Sequence, residues 1–161
     1  MPITRISAEL IGEITGAVRS LSTLNLSRNE IAVIENLEGL ASLTRLDLSH
    51  NIVHTVDGAG ALRELTHLDL SSNRICSLEG LERCCSLEVL DLADNLVESP
   101  RELQALHYLP RLRTLTLRGN PLARAAGYRE QVACHLPSLL TLDGLPTTTL
   151  SPEATPADAP G

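Results

Sequence analysis

Residues 21–29, LSTLNLSRN, return with small changes at 43–51 (LTRLDLSHN), 65–73 (LTHLDLSSN), 87–95 (LEVLDLADN) and 112–120 (LRTLTLRGN). The closing asparagines, Asn29, Asn51, Asn73, Asn95 and Asn120, stand 22, 22, 22 and 25 residues apart. Self-similarity at a short fixed period predicts a solenoid, in which each repeat is one coil and buries its apolar side against the next. Within each phrase the Leu-x-Leu pair (24/26, 46/48, 68/70, 90/92, 115/117) alternates with polar residues, the period of a half-buried strand. Stacked in register, five or six such strands make a parallel concave sheet. The asparagine that follows each strand carries an amide able to bond the backbone of the adjoining turn, and buried amides must be satisfied.

Composition agrees with this arrangement. The 161 residues amount to one ordinary domain, with 32 leucines, no Phe or Trp, and Tyr108 and Tyr128 as the two tyrosines. An aliphatic core of that kind works when every layer repeats one small geometry. No stretch approaches the roughly 18 uninterrupted apolar residues of a membrane helix, and no secretory leader is expected. Cys76, Cys84, Cys85 and Cys134 form no CxxC pair, and Cys84 falls where Leu40 and Leu62 stand in earlier repeats, as a small hydrophobe. Free thiols point to a reducing compartment, hence a cytoplasmic setting.

Charge is divided along the chain, whose formal net charge is −7. Residues 30–99 hold 13 acids against four arginines (Arg45, Arg63, Arg74, Arg83), a net −9, and residues 101–129 hold six arginines against Glu102, a net +5. A solenoid converts that order in sequence into order in space.

Either end of the repeats reads as a cap. Residues 1–20 form the N-terminal capping segment, with a helix expected over 7–20, Ser7 as N-cap and Leu10, Ile11, Ile14 and Val18 on one face. Repeats occupy 21–122. The first three have short returns suited to single 3₁₀ turns, whereas Ser99-Pro100-Arg101-Glu102 reads as a capping box opening a helix with Leu103, Leu106 and Leu109 on one face. Residues 123–144 form the C-terminal cap, with an amphipathic helix over 124–136 and a last strand-like layer at Leu139 and Leu142. Residues 145–161, with four prolines and little to bury, read as a disordered tail or linker.

The phrase Leu-x-x-Leu-x-Leu-x-x-Asn resembles the leucine-rich repeat. The 22-residue period and the N-x-I-x-x-I-E-x-L-E-x-L return of Asn29 to Leu40 are similar to an intracellular class of that family, which includes a regulatory subunit of protein phosphatase one, an axonemal dynein light chain and the spliceosomal A-prime protein. Tyr128, Leu136, Pro137, Leu139, Leu142, Asp143 and Gly144 match that class's C-terminal cap. The resemblance implies an α/β solenoid, a right-handed coil with a concave parallel sheet and convex 3₁₀ turns or helices. It also implies a protein-binding scaffold without catalytic activity. The lengthened fourth repeat and the opening ITR resemble ciliary and flagellar members, which implies a cilium, flagellum or basal body; a phosphatase-type regulatory subunit and a nuclear ribonucleoprotein adaptor are the alternatives.

Residues of the strands that point away from the core are the candidate protein-binding surface. One column runs Thr23, Arg45, His67, Val89, Thr114; the next Asn25, Asp47, Asp69, Asp91, Thr116; the third ends at Arg118. Two explanations of the aspartates stand side by side: a solvated face relieved by Arg45 and His67, or an acidic stripe for an Arg- or Lys-bearing partner. Arg118, Arg124 and Arg129 read equally as a grip for an acidic partner or as solvation of the cap. His67 near Asp47, Asp69, Ser49 and Ser71 imitates a catalytic set, but an open sheet offers no oxyanion donors and no enclosed pocket, so no enzyme is expected. The histidines and cysteines lack zinc spacing, and neither a P-loop nor a GxGxxG motif occurs; GAGA at 58–61 reads as a tightly packed convex turn. No cofactor, metal, small-molecule substrate or membrane partner is expected. Direct nucleic-acid binding is disfavoured by an acidic face without stacking aromatics. The module is expected to be monomeric.

Overall fold

A computed structural model describes residues 2–17 and 21–147. Seven short strands form one sheet in sequence order: β1 (Thr23–Asn25), β2 (Arg45–Asp47), β3 (His67–Asp69), β4 (Val89–Asp91), β5 (Thr114–Thr116), β6 (Thr141–Leu142) and β7 (Leu145–Pro146). The first six run parallel with every repeat in step, so that Leu24, Leu46, Leu68, Leu90, Leu115 and Leu142 form one row. β7 reverses and pairs antiparallel with β6. Behind the sheet the aliphatic side chains of each coil merge into one continuous core.

The asparagines join the coils. Asn73 Nδ2 donates to the carbonyls of Leu48 (2.9 Å), Leu70 (3.0 Å) and Ser71 (3.2 Å), while its Oδ1 accepts from Val53 N at 2.9 Å. Asn51 and Asn95 repeat the pattern one coil away. The amide's bonds to carbonyls two and three residues back close a turn whose penultimate residue is left-handed: Arg28 (φ 57°), His50 (54°), Ser72 (56°), Asp94 (54°) and Gly119 (79°). Non-glycine residues seldom adopt that conformation, and here four of them do so at the same point of successive coils.

The N-terminal cap has more parts than its sequence announced. The helix α1 covers Ala8–Ala17, with Ser7 Oγ accepting from Leu10 N at 3.1 Å; Ile11 is buried, and Val18 lies outside the described residues. The segment before α1 also completes the stack. Ile3 N donates to Asn29 Oδ1 (2.8 Å), Glu30 N donates to Ile3 O (3.0 Å), and Asn36 Nδ2 donates to Ile6 O (2.7 Å). Residues 3–6 thus bond to the first repeat as residues 31–34 bond to the second, with Ile6 fully buried.

Convex returns differ from expectation in detail. 3₁₀ turns form at Asp57–Ala61 and Leu81–Arg83, while the first return has turns and one parallel bridge, Val33 to Thr55. The fourth return is a 3₁₀ turn, Pro100–Glu102, running into the short helix α2 (Leu103–His107). Its capping box forms by half: Ser99 Oγ accepts from Arg101 N, but Glu102 Oε2 accepts from Leu78 N, one coil back, at 3.1 Å. The expected helix over 124–136 is shortened to α3, Tyr128–His135, and a separate 3₁₀ turn, Pro121–Arg124, precedes it. Residues 145–147, expected to begin the tail, instead belong to the sheet as β7 and a Thr147 N bond to Leu140 O. The remainder of the expected tail, 148–161, lies outside the described residues.

Candidate functional site

Parallel register converts the repeat phrase into aligned rows on the concave face. Thr23, Arg45, His67, Val89 and Thr114 pair strand to strand in one row, and Asn25, Asp47, Asp69, Asp91 and Thr116 in the next. Eight of the eleven candidate residues (Thr23, Asn25, Arg45, Asp47, His67, Asp69, Val89, Asp91) line one open trough of ≈ 400 Å³ over β1 to β4, floored by Leu24, Leu46 and Leu68. Thr114, Thr116 and Arg118 continue the face over β5 but stand outside the trough.

The second row has a local structural task that the sequence reading missed. Asp47 Oδ1 accepts from Ser49 N (2.9 Å) and Ser49 Oγ (2.7 Å), and Asp69 Oδ1 does the same with Ser71. Each carboxylate closes a turn over the end of its own strand, as Asp and Asn side chains do elsewhere. Asn25 closes the same turn with Ser27 through its neutral amide oxygen, at 2.8 and 2.7 Å. The recurrence of Asn/Asp-x-Ser in three successive phrases was the available signal. Asp91 departs from it, because Ala93 supplies a backbone N–H at 2.9 Å and no hydroxyl.

Burial raises the Asp91 carboxyl above the usual aspartate range; the Ala93 N–H opposes this, Asp69 adds to it, Arg118 opposes it, and Asp143 adds again. Among the described residues the one ion pair within 4 Å joins Arg5 to Glu35 at the N-terminal cap, so contact with an arginine neutralises none of the three aspartates.

The arrangement does not assemble a nucleophile. Ser49 and Ser71 direct their hydroxyls to Asp47 and Asp69 rather than to histidine. His67 Nδ1 lies 2.9 Å from Thr66 Oγ1, which itself donates to Thr44 O at 2.9 Å. A hydroxyl has one proton to give, so His67 Nδ1–H is the donor of that pair and its ring is oriented by Thr66.

Around the C-terminal edge, one of the three arginines weighed as a binding grip, Arg129, is engaged in the cap, as is the neighbouring Arg113. The Arg129 guanidinium donates to the carbonyls of Leu142, Leu145 and Pro146, and Arg113 donates to those of Leu112 and Ser138. Asp143 Oδ1 accepts from Leu117 N and Arg118 N (2.7 and 2.9 Å), and its Oδ2 accepts from Tyr128 OH at 2.9 Å. Burial first, and then the Asp143 charge, pushes the Tyr128 hydroxyl well up from its ordinary value. Cys84 is buried and donates to Ala59 O at 3.4 Å; burial raises its thiol to about 12, which suits packing rather than reactivity. Cys76, Cys85 and Cys134 are exposed and free.

A family model described as leucine-rich repeat matches residues 3–146. Leucine-rich repeat-containing protein 51 of Rattus norvegicus is 52% identical over 42 residues, which cover 26% of this chain and 22% of that protein. The alpha subunit of geranylgeranyl transferase type-2 of Homo sapiens is 44% identical over 117 residues, 72% of this chain and 21% of that protein. The chain thus spans about a fifth of the length of these relatives. Among solved structures, a chain in the crystal structure of the Drosophila melanogaster SNF/U2A' complex superimposes with a TM-score of 0.78 at 30% identity, covering 89% of this chain and 86% of that one.

Proposed function

Since the chain belongs to the leucine-rich repeat family, which its match over residues 3–146 establishes, we propose that it is a non-enzymatic scaffold whose concave face docks a protein partner. One observation carries this reading: four strands in register present eight polar or small side chains around a single open trough, with a floor already fixed by the core. Such a surface binds by preformed shape, so little ordering cost falls on the scaffold. Ser49, Ser71 and His67, the residues that imitate a catalytic set, are committed to intramolecular bonds, which leaves no activated nucleophile among them.

The setting is a second question. Likeness to nearly the whole of a chain in the SNF/U2A' complex supports an adaptor in a ribonucleoprotein assembly. The ciliary or flagellar setting draws its support from the sequence resemblance of the fourth repeat and the N-terminal segment. Localising a tagged copy separates a nuclear adaptor from an axonemal or basal-body scaffold.

Docking itself is tested by site-specific photo-crosslinking. A crosslinker at Val89, in the trough, is expected to capture a partner, whereas one at the exposed convex residue Glu79 is not. Capture from Glu79 alone would move the interface to the other side of the molecule.

A further inference from the structure

We infer that the trough over β1 to β4 receives an α-helix of the partner, carrying two arginines or lysines one turn apart that meet Asp69 and Asp91. The inference rests on the concave-face docking proposed above and adds the chemistry of the occupant.

The trough fixes the spacing. Neighbouring side chains along a row of a parallel sheet lie about 4.8 Å apart. A helix lying along the row offers same-face residues three or four positions apart, a rise of about 4.5–6 Å. An extended segment in that direction repeats on one face every 6.6–6.8 Å or so, and falls out of step within two rows. The helix matches the pitch of the sheet; the strand does not.

Charge fixes the side chains. The turns closed by Asp47 and Asp69 use one carboxylate oxygen each, and Asn25 closes the same turn without charge. Turn closure therefore does not require the negative charge, yet three aspartates stand in a row where they repel one another. Arg45 shares the face of β2 with Asp47 and repels a cation there. Asp69 and Asp91 are paired across β3 and β4, with uncharged Val89 beside them. Asp69 acts on the Asp91 carboxyl more strongly than Arg118 does, so the pair remains under repulsion that an incoming cation relieves. Val89, in the row beside the aspartates, supplies apolar contact for the helix stem.

The experiment uses the full chain and a stapled, alanine-based helical peptide with arginines at positions i and i+4, beside a peptide of equal charge with the arginines adjacent. Binding is followed by fluorescence anisotropy across a salt series. Expected is preference for the i, i+4 peptide, with affinity lowered about tenfold and salt dependence flattened in the Asp69→Asn/Asp91→Asn variant. These substitutions keep the turn-closing oxygen, and circular dichroism checks that the variant folds. Equal binding of both peptides, undiminished binding by the double variant, or no binding at millimolar peptide would each overturn the inference. A trough-filling His67→Trp variant, with the crosslinker kept at Val89, separates the two levels. Were it to lose the photo-crosslinked partner while the double Asn variant kept it, docking would stand without the charge pairing. Were neither to matter, the concave face would fall as well.

Discussion

Asn73 ties three carbonyls and one amide of two different coils to a single side chain. Asn73→Ala would leave the Val53 N–H without its partner, while the carbonyls of Leu48, Leu70 and Ser71 keep donors in Asn51 Nδ2, Asn95 Nδ2 and His50 N; one buried donor left unpaired costs about 1–3 kcal/mol. Urea denaturation should show a loss of that size, and a melt indistinguishable from wild type would mean that the amide is dispensable. The bonds of this residue were legible from the period alone, because a buried amide recurring every 22 residues has only its neighbouring coils to bond. Asp91 was less legible. Its neighbours come from other coils, and its burial depends on their side chains. With the folded carboxyl titrating above its unfolded value, the charged form is the disfavoured one in the fold. Asp91 thus costs stability at neutral pH, and the cost disappears as pH falls below the unfolded value. Asp91→Asn, which keeps an acceptor for Ala93 N, should therefore raise the denaturation midpoint at pH 7, with the gain fading on acidification. A gain that persisted at acid pH would assign it to packing instead.

At the scale of the element, the convex turns decide how closely coils approach. A Cβ on Gly58 would lie 1.8 Å from the carbonyl oxygen of Ile34 in the preceding return, and that oxygen belongs to backbone that cannot swing aside. Gly58→Ala should destabilise by about 1–3 kcal/mol, the usual cost of overpacking; an unchanged thermal midpoint would show that the returns can separate freely. The GAGA run announced this packing in sequence. The capping box at Ser99 to Glu102 did not announce its outcome, because Glu102 finds a better-placed donor in Leu78 N, 24 residues away, than in its own turn. Local patterns predicted local bonds well and failed where a stacked neighbour competed. The same competition explains Arg129, whose guanidinium is taken by three carbonyls of the last layers rather than left for a partner.

For the molecule as a whole, repetition made the sheet, the core and the face readable before any coordinates, since each coil copies its neighbour's environment. The ends were harder, because nothing repeats there. Residues 3–6 read in sequence only as the approach to a capping helix, and their pairing with Asn29, Glu30 and Asn36 shows them to be part of the first layer. Leu145 and Pro146 looked like the start of a linker and form β7, the last strand among the described residues. That last strand carries a consequence for assembly. A second molecule adding end to end would offer its own first strand and would need a partner running in the same direction. The reversed ribbon at the terminus presents the opposite polarity, and Pro146 has no amide hydrogen to share. The reversed two-residue strand is thus a poor template for a further strand running with the first six.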